Sequence, residues 1–452
     1  VHVLPEDWLV GKIVPVHKSG LTHNPSNFRP ISLTSVPCKI LEHIIFTHLV
    51  NFLESNQFFT PSQHGFRKNF SCETQLLVFT NDLHVLLDSG FTIDCIFLDY
   101  SKAFDKVSHQ LLLLKMKHLN LDPNVFNWIR AFLSNRTQFV SANNIDSPVQ
   151  PVLSGVPQGS VLGPLLFLIF MNDLPTNVSS NVCLFADDCV IYRKITNQND
   201  VTSLQTDLNN IFTWCQLCNM ELNISKCKAM RVCRTSLAYP DYHLNDTHLE
   251  SVSFYKYLGV HISSNLSWNH HVEHIIAKAN RSLGYFRRNF YMAPSSLKKL
   301  LYTTYIRPSL EYASSVWDPG GTTLTHELEA VQNRSVRFIL ANYNRTASVT
   351  LMKSQLNLPE LAIRRKIARL SLLHKLYHSK NLREQFIKPP SFISPRLDHL
   401  QKVHVPRCRT VTYSHAFIPR TTSEWNLLPQ SATAITDTSR FRAFLQNMFC
   451  DV

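Results

Sequence analysis

The sequence lacks the features that mark secreted, membrane-spanning or repeat-built proteins. Its 11 cysteines in 452 residues are scattered and odd in number, which does not suit a disulfide framework and favours reduced thiols. The longest apolar run, Val161–Met171, contains Gly163 and Pro164 and is too short to span a bilayer. No basic-then-apolar signal segment, internal repeat or low-complexity linker stands out. We therefore expect a soluble intracellular protein without a membrane partner.

Cysteine and histidine patterns for metal binding are also weak. Cys215 and Cys218 form a single C-x-x-C, and no second pair follows at zinc-ribbon spacing. His270, His271 and His274 cluster without an accompanying Cys or carboxylate set, so we interpret them as surface or nucleic-acid-facing residues. A structural zinc site is therefore not expected.

Acidic residues are scarce in one half of the chain only. The formal net charge is +13, and residues 263–452 contain 26 Lys and Arg against 11 Asp and Glu. Residues 1–262 are nearly neutral, with 19 basic and 21 acidic residues. A basic part beside a near-neutral body suits a module that follows a nucleic-acid backbone next to a catalytic module. The alternative is a solvated basic face with no partner.

Apolar periodicity predicts the main elements. The predicted strands are Lys12–Val16, Cys95–Leu98, Val182–Phe185, Cys189–Tyr192 and Tyr257–Val260. The predicted helices include Lys39–Phe52, Leu111–Leu119, Val125–Leu133, Val161–Met171 and a segment through Leu204 and Cys215 for which Asp200 is a plausible cap. Amphipathic helical patterns dominate after residue 263, so we place the main domain boundary there and expect domains 1–262 and 263–452.

Three aspartates stand at the ends of predicted strands. Asp99 directly follows a short apolar strand, and Asp187 and Asp188 lie at the tip of a predicted hairpin. Nucleotidyl transfer needs charge on the attacking and leaving oxygens, and a pair of divalent ions held by two or three carboxylates supplies it. An Asp pair alone is common in turns, but this strand context predicts a two-metal site.

A series of motifs surrounds these aspartates in a fixed order. They are Pro5-Glu6-Asp7-Trp8 through Lys18, Asn27-Phe28-Arg29-Pro30-Ile31-Ser32-Leu33, Gln63-His64-Gly65-Phe66-Arg67, Leu98-Asp99-Tyr100-Ser101-Lys102-Ala103-Phe104-Asp105, Gly155-Val156-Pro157-Gln158-Gly159-Ser160-Val161-Leu162-Gly163-Pro164, Phe185-Ala186-Asp187-Asp188, Leu222-Asn223 with Lys226, and Tyr257-Leu258-Gly259-Val260. Together they resemble reverse transcriptases, and most closely the non-LTR (LINE-type) retrotransposon branch near the Jockey and CR1 groups. The resemblance covers nearly the whole chain.

This resemblance implies a fold and a division of the chain. We expect an α+β right-hand polymerase, with fingers, a palm built on a small antiparallel sheet, and a helical thumb. Residues 1–262 would form the reverse transcriptase fingers and palm, and residues 263–452 the helical basic thumb and C-terminal region. The stretch Ile418–Pro429, which includes Trp425, is typical of the C-terminal ends of such elements.

The resemblance also implies roles for the acidic and nucleotide-contacting residues. Asp99, Asp187 and Asp188 would bind two Mg²⁺ ions, for which Mn²⁺ could substitute, and the backbone carbonyl of Tyr100 would assist. Phe104 would lie under the incoming sugar and disfavour a 2′-hydroxyl, although from the residues alone it could be a core side chain.

Other roles are implied for basic and loop residues. Lys18 and Arg29 would grip the triphosphate. Lys226 would protonate the leaving pyrophosphate, although a solvated lysine is the alternative. The remaining assignments are Gln158 and Gly159, with Gly155 and Pro157, for the template and nucleotide, and Tyr257, Leu258 and Gly259 for the primer end. Candidate phosphate contacts in the thumb are Arg281, Arg287, Arg288, Arg364, Arg365 and Lys366.

The expected partners are an RNA template, a DNA primer or target DNA, and dNTPs, with the nucleus and cytoplasm as the location. No endonuclease or RNase H pattern accompanies the polymerase motifs, so this chain is expected to copy but not to nick a target. A catalytically decayed or domesticated RNA-binding relic of such an element is a second hypothesis. A group II intron-type maturase is a third.

Overall fold

The computed structural model describes residues 4–18, 20–234, 241–394, 396 and 398–450. Within these residues the chain divides into two compact units. Unit 1 comprises Val1–Ser71, Asp94–Ala229 and Ala238–Val252, and unit 2 comprises Cys72–Ile93, Met230–Leu237 and Ser253–Val452. Helices and strands are mixed along the chain, so the predicted α+β class is confirmed.

The elements follow one another in short segments. The strands are β1 Val10–His17, β2 Phe28–Leu33, β3 Thr92–Leu98, β4 Thr137–Ala142, β5 Ile145–Asp146, β6 Gln150–Pro151, β7 Asn181–Phe185, β8 Asp188–Ile195, β9 Lys228–Val232, β10 His243–Leu244, β11 Thr247–His248, β12 Glu250–Ser251, β13 Phe254–Tyr257 and β14 Val260–Ser263. The helices are α1 Glu6–Leu9, α2 Val36–Ser55, α3 Cys72–Asp88, α4 Ala103–Lys106, α5 His109–Lys117, α6 Pro123–Leu133, α7 Leu162–Met171, α8 Gln198–Leu217, α9 Asn269–Asn289, α10 Ser295–Leu301, α11 Arg307–Glu311, α12 Ser314–Trp317, α13 Thr322–Ile339, α14 Val349–Gln355, α15 Leu361–His378, α16 Lys380–Phe386, α17 Val411–Ser414, α18 Phe417–Asn426, α19 Gln430–Thr433 and α20 Thr438–Cys450.

The core of unit 1 is built on a sheet with the strand order β12-β9-β3-β8-β7. Strand β3 is buried almost throughout, which explains why its sequence is continuously apolar rather than alternating. Helix α7 is buried on all sides and packs against α2 and α5. The carboxylate of Glu42, itself fully buried, accepts hydrogen bonds from the backbone N–H groups of Val161 and Leu162 and so caps the start of α7.

A second sheet in unit 1 has the strand order β2-β1-β4-β5. Strands β1 and β2 form an antiparallel hairpin in which Val16 is paired with Arg29. The Lys18 N–H donates to the carbonyl of Asn27 at 2.8 Å and continues this pairing beyond the end of β1. The hairpin therefore places the side chains of Lys18 and Arg29 near one end of the sheet.

Unit 2 is mainly helical and contains a buried network of ion pairs. The side chain of Asp318 accepts from Arg365 Nε at 2.6 Å and from Arg369 Nε at 2.8 Å, and it lies 3.3 Å from Arg420 Nη1. Trp425, in the motif typical of C-terminal ends, is fully buried next to this network, on the same helix as Arg420. The motif therefore forms part of the core of this unit.

The histidine cluster of unit 2 differs from the prediction. His271 is only 2% exposed, and its Nδ1 accepts from the backbone N–H of His261 at 3.3 Å. Burial, reinforced by the neighbouring histidines, lowers the pKa of His271 to about 3 and that of His261 to about 4. The interpretation of His271 as a surface residue is wrong, because β14 and Trp317 cover its ring.

The division into units differs from the predicted boundary at residue 263. Helix α3 belongs to unit 2, where the Asp88 carboxylate accepts from the backbone N–H groups of Arg409 and Thr410 at 2.8 to 3.1 Å. Ser315 also donates to Glu73 of α3 at 2.8 Å. These contacts join residues more than 200 positions apart, so local patterns along the sequence do not reveal them.

Helix α2 is, among the described residues, long and apolar enough to cross a membrane by length and composition. A core helix passes the same test. Here Cys38, Leu49 and Leu53 of α2 are buried in the hydrophobic core of unit 1.

Candidate active site

The three predicted aspartates come together in unit 1. Asp99 directly follows β3, and Asp188 is the first residue of β8, the neighbouring strand in the sheet. Asp187 occupies the turn between β7 and β8, where Phe185 is paired with Asp188. Strand order therefore places all three carboxylates at one edge of the sheet, as the sequence predicted.

The turn that carries the aspartate pair has an unusual backbone. Ala186 has φ +55°, in the left-handed region, which costs a residue with a Cβ roughly 1 kcal/mol. Its N–H donates to Gln63 Oε1 at 3.0 Å. The tight two-residue turn keeps Asp187 and Asp188 adjacent, and its backbone is fixed by a side chain from elsewhere in the chain.

Electrostatics reflects the crowding of negative charge. Burial, the Asp187 carboxylate and the Asp99 carboxylate raise the pKa of Asp188 to about 6, although part of its side chain remains exposed. Burial and Asp99 also raise the pKa of Asp187, while Lys18 and Arg29 oppose this rise. Converging carboxylate oxygens are the donors that divalent cations prefer, and a bound cation would relieve this repulsion. The residues therefore fit a divalent metal site.

Lys226 lies beside the first aspartate. Its Nζ is 3.6 Å from Asp99 Oδ2, and the lysine side chain is half-exposed. The N–H of Asn223 donates to the carbonyl of Asp99 at 2.7 Å and anchors the segment that carries the lysine. Lys226 is thus placed within the site, and its role in proton donation stays a prediction.

A cleft of about 1230 Å³ opens over the aspartates. Most of the predicted nucleotide-binding and catalytic residues line it, namely Lys18, Arg29, Asp99, Tyr100, Phe104, Gln158, Asp187 and Lys226. Asp188 and Gly159 adjoin it through their neighbours in the chain. The cleft is large enough for a nucleoside triphosphate, and its basic residues lie close enough to counter the charge of Asp187.

Two aromatic residues follow Asp99. Tyr100 is 6% exposed, and burial raises the pKa of its phenol well above the usual range. The ring of Phe104 stacks on Phe167 of α7 with centroids 4.2 Å apart and meets the edge of Phe66 at 6.2 Å. Phe104 therefore lines the cleft and packs on the core at the same time, which joins the two alternatives that the sequence left open.

The glycines of the loop before α7 approach protein backbone. Gly155 has φ +88° and Gly159 has φ +118°; a Cβ at these positions would lie 2.7 Å from the carbonyl oxygen of Asp105 and 2.5 Å from that of Ser32, respectively. Gln158 Nε2 donates to Asp105 Oδ1 at 3.0 Å, and its backbone carbonyl accepts from Ser32 at 2.7 Å. The loop is thereby held against α4 and β2, and its contacts with template and nucleotide stay predictions.

The predicted primer-binding residues form a hairpin of unit 2. Tyr257 pairs with Val260, and Leu258 and Gly259 make the turn with positive φ. The Tyr312 hydroxyl donates to the carbonyl of Leu258 at 3.0 Å, and its ring lies where a Cβ of Gly259 would be, at 2.9 Å. The hairpin is therefore rigidly held, and its contact with a primer stays a prediction.

Two of the proposed phosphate contacts have other partners. Arg364 forms a bidentate ion pair with Glu311, and Arg365 is 1% exposed and paired with Asp318. The prediction that Arg365 contacts phosphate is wrong, because its helix face points into the core of unit 2. Arg281, Arg287 and Arg288 of α9 are exposed and keep the prediction.

Sequence analysis missed two side chains that support the site. Gln63 and Glu42 are both buried; Gln63 holds the aspartate turn, and Glu42 caps α7. Arg67, which the sequence left without a clear role, is almost fully buried and paired with Glu54. The position of Gln63 within a motif block was a signal, but nothing in the sequence indicates which backbone group its amide contacts.

A further group of possible metal ligands lies on the hairpin of β10 and β11. Side-chain donor atoms of Asp241, His243 and His248 lie within 4.8 Å of one another. Asp241 and His248 are exposed and already contact each other. Because exposed groups of this kind are common without an ion, the cluster alone does not identify a metal site.

The chain matches the family described as "Reverse transcriptase (RNA-dependent DNA polymerase)" over residues 16–262, which is more than half of its length. The chain belongs to the reverse transcriptase family. Members of this family use divalent metal ions, in agreement with the carboxylate cluster. The right-hand polymerase fold predicted from the sequence is the fold of this family.

Two curated relatives of this reverse transcriptase come from mobile elements. It is 28% identical over 355 residues to "RNA-directed DNA polymerase from mobile element jockey" of Drosophila melanogaster, covering 75% of this chain and 38% of that protein. It is 30% identical to the protein of the same name from Drosophila funebris, covering 69% and 35%. The chain therefore spans little more than a third of these relatives, and the predicted resemblance to non-LTR retrotransposon polymerases is confirmed.

A solved structure of apo telomerase from Candida tropicalis is similar at 12% identity with a TM-score of 0.46, covering 80% of this reverse transcriptase and 64% of the telomerase chain.

Proposed function

We propose that this chain is an RNA-directed DNA polymerase of a non-LTR retrotransposon. It extends a DNA primer, or a target DNA end, on an RNA template and uses dNTPs as substrates. The observation that supports this most directly is the convergence of Asp99, Asp187 and Asp188 below a cleft that carries Lys18 and Arg29.

The carboxylates would hold two Mg²⁺ ions, for which Mn²⁺ could substitute. When bound, the ions supply positive charge to the attacking and leaving oxygens. The protein residues account for the remaining requirements. Lys18 and Arg29 carry fixed charge for the triphosphate. The Nζ of Lys226 carries a proton 3.6 Å from Asp99 and is suited to donate it to the leaving pyrophosphate.

The proposed partners follow from this chemistry. The basic residues of unit 2, with exposed Arg281, Arg287 and Arg288 on α9, suit the phosphates of a template–primer duplex. A polymerase that copies element RNA into target DNA would act in the nucleus and cytoplasm, and no membrane partner is required.

The deciding experiment is a primer-extension assay with the purified chain. An RNA template with an annealed DNA primer and four dNTPs should give extended products with Mg²⁺ or Mn²⁺ and none after chelation with EDTA. Restoring Mg²⁺ should restore synthesis. Absence of products with either metal would contradict the proposal, and extension on a DNA template alone would contradict its RNA dependence.

The assay also separates the two remaining hypotheses. A decayed or domesticated relic would bind structured RNA but show no metal-dependent synthesis. A similarity to the "Putative COX1/OXI3 intron 2 protein" of Saccharomyces cerevisiae covers 36% of this chain, against 75% for the jockey protein. The intron-maturase hypothesis is therefore less well supported than the retrotransposon polymerase.

Phe104→Val is expected to weaken discrimination between dNTPs and rNTPs. The Phe104 ring lines the cleft and is held by Phe167, so shortening it opens space for a 2′-hydroxyl. A pocket change of this size is worth roughly tenfold or more in selectivity. The measurement is the ratio of kcat/KM for dNTP and for rNTP in the same assay. An unchanged ratio would show that Phe104 is only a core residue.

A further inference from the structure

Gln63 lies in a segment that extends the sheet carrying the catalytic turn. The N–H of Leu184 donates to the carbonyl of Ser62 at 2.9 Å, and the N–H of His64 donates to the carbonyl of Leu184 at 2.9 Å. Gln63 forms a parallel bridge with Leu184 of β7. The segment therefore runs along the edge of the hairpin that bears Asp187.

The side chain of Gln63 reaches the turn itself. It is 2% exposed, and its Oε1 accepts from the N–H of Gly65 at 2.8 Å and from the N–H of Ala186 at 3.0 Å. A Cβ at Gly65 would lie 2.4 Å from the Ala186 nitrogen, so glycine is required for this close approach. The amide oxygen thus satisfies a buried donor of the left-handed residue that immediately precedes Asp187.

Arg67 holds this segment from the other side. Its guanidinium donates to both carboxylate oxygens of Glu54, at 3.0 and 2.9 Å, and to the carbonyls of Thr60 and Gln63 at 3.2 Å each. The side chain of Arg67 is 7% exposed and lies over the rings of Phe59 and Phe70. A bidentate pair in this environment is geometrically specific, so Gln63 has little freedom to move away from the turn.

We propose that Gln63 is a positioning residue for the metal-binding turn. It contacts neither substrate nor metal in this arrangement and acts through Ala186, whose backbone sets the direction of the Asp187 and Asp188 carboxylates. The inference rests on the proposed function for its effect on synthesis, but its effect on cation binding can be measured independently.

Gln63→Met tests the inference, because methionine matches the length of glutamine and removes the acceptor. Direct Mn²⁺ binding, followed by the electron paramagnetic resonance signal of free Mn²⁺ without nucleotide, should weaken at least about threefold. The kcat for dNTP incorporation should fall about tenfold or more, since small misplacements of reacting groups are costly, while the KM for dNTP changes little. Gln63→Glu keeps the acceptor oxygens and should restore Mn²⁺ binding and kcat to within about threefold of wild type.

Gln75→Met is the matched control. Gln75 is 1% exposed, and its amide has no hydrogen-bond partner among the described residues, so its replacement should leave Mn²⁺ binding unchanged. Unchanged Mn²⁺ binding and kcat in Gln63→Met would overturn the inference. If Gln63→Met instead fails to fold, recovery of stability in Gln63→Glu without recovery of Mn²⁺ binding would also overturn it. A wild-type chain that makes no DNA, with Mn²⁺ binding still weakened by Gln63→Met, would reject the proposed function and retain the role of Gln63.

Discussion

Asp187→Asn is expected to lower dNTP incorporation about a thousandfold or more while template–primer affinity stays within about threefold of wild type. Asparagine keeps the size of the side chain and one oxygen but removes the negative charge that a divalent cation needs. The lost stabilisation falls on the transition state, where a single well-placed electrostatic group is worth roughly 3–4 kcal/mol. Single-turnover incorporation on an RNA template, combined with a filter-binding measurement of template–primer, separates catalysis from binding.

Asp146→Asn is the control for this variant. Asp146 is an exposed aspartate of β5 in the same unit and lies outside the cleft lining. It should incorporate dNTP at the wild-type rate. An Asp187→Asn protein with wild-type incorporation would show that the carboxylate cluster is not the catalytic metal site, whatever the family relationship.

Local sequence patterns were sufficient to predict the elements that carry the aspartates. Strand β3 is a continuous apolar run that ends at Asp99, and the alternation around Asp187 predicts a hairpin because the turn is only two residues long. Helix α7 is apolar on every face, which predicts burial. The helix cap was predicted less well, since Asn197 rather than Asp200 caps α8, with Asp200 as the reciprocal partner in a capping box.

The supporting contacts of the site could not be predicted from the sequence. The bond from Ala186 to Gln63 spans 123 positions, and only the folded chain shows which backbone group the amide contacts. The arginine run of α15 was misread for a related reason. Arg365 and Arg369 lie at i, i+4 spacing, in line with buried Leu361 and Leu373, so this face of the helix is internal despite its charge.

Asp318→Asn is expected to lower the free energy of unfolding of unit 2 by about 3–5 kcal/mol, because it leaves buried arginine charges without their partner. The Asp318 side chain is 4% exposed and is shared by Arg365 and Arg369, which are 1% and 2% exposed. Hydrogen exchange of α15 and α18 under increasing denaturant reports this loss within the unit. Glu327→Gln, at an exposed position of α13, should change stability by no more than about 0.5 kcal/mol.

A double-mutant cycle distinguishes an unpaired charge from simple loss of packing. If Asp318→Asn destabilises the unit because Arg365 is left charged and buried, then Arg365→Met in the same chain should recover part of the loss, and the two changes should not be additive. Additive losses would mean that the aspartate acts only through its shape. Nearly complete recovery would mean that unit 2 tolerates an apolar core here, so that the ion pairs fix the relative placement of α15 and α18 rather than supply net stability.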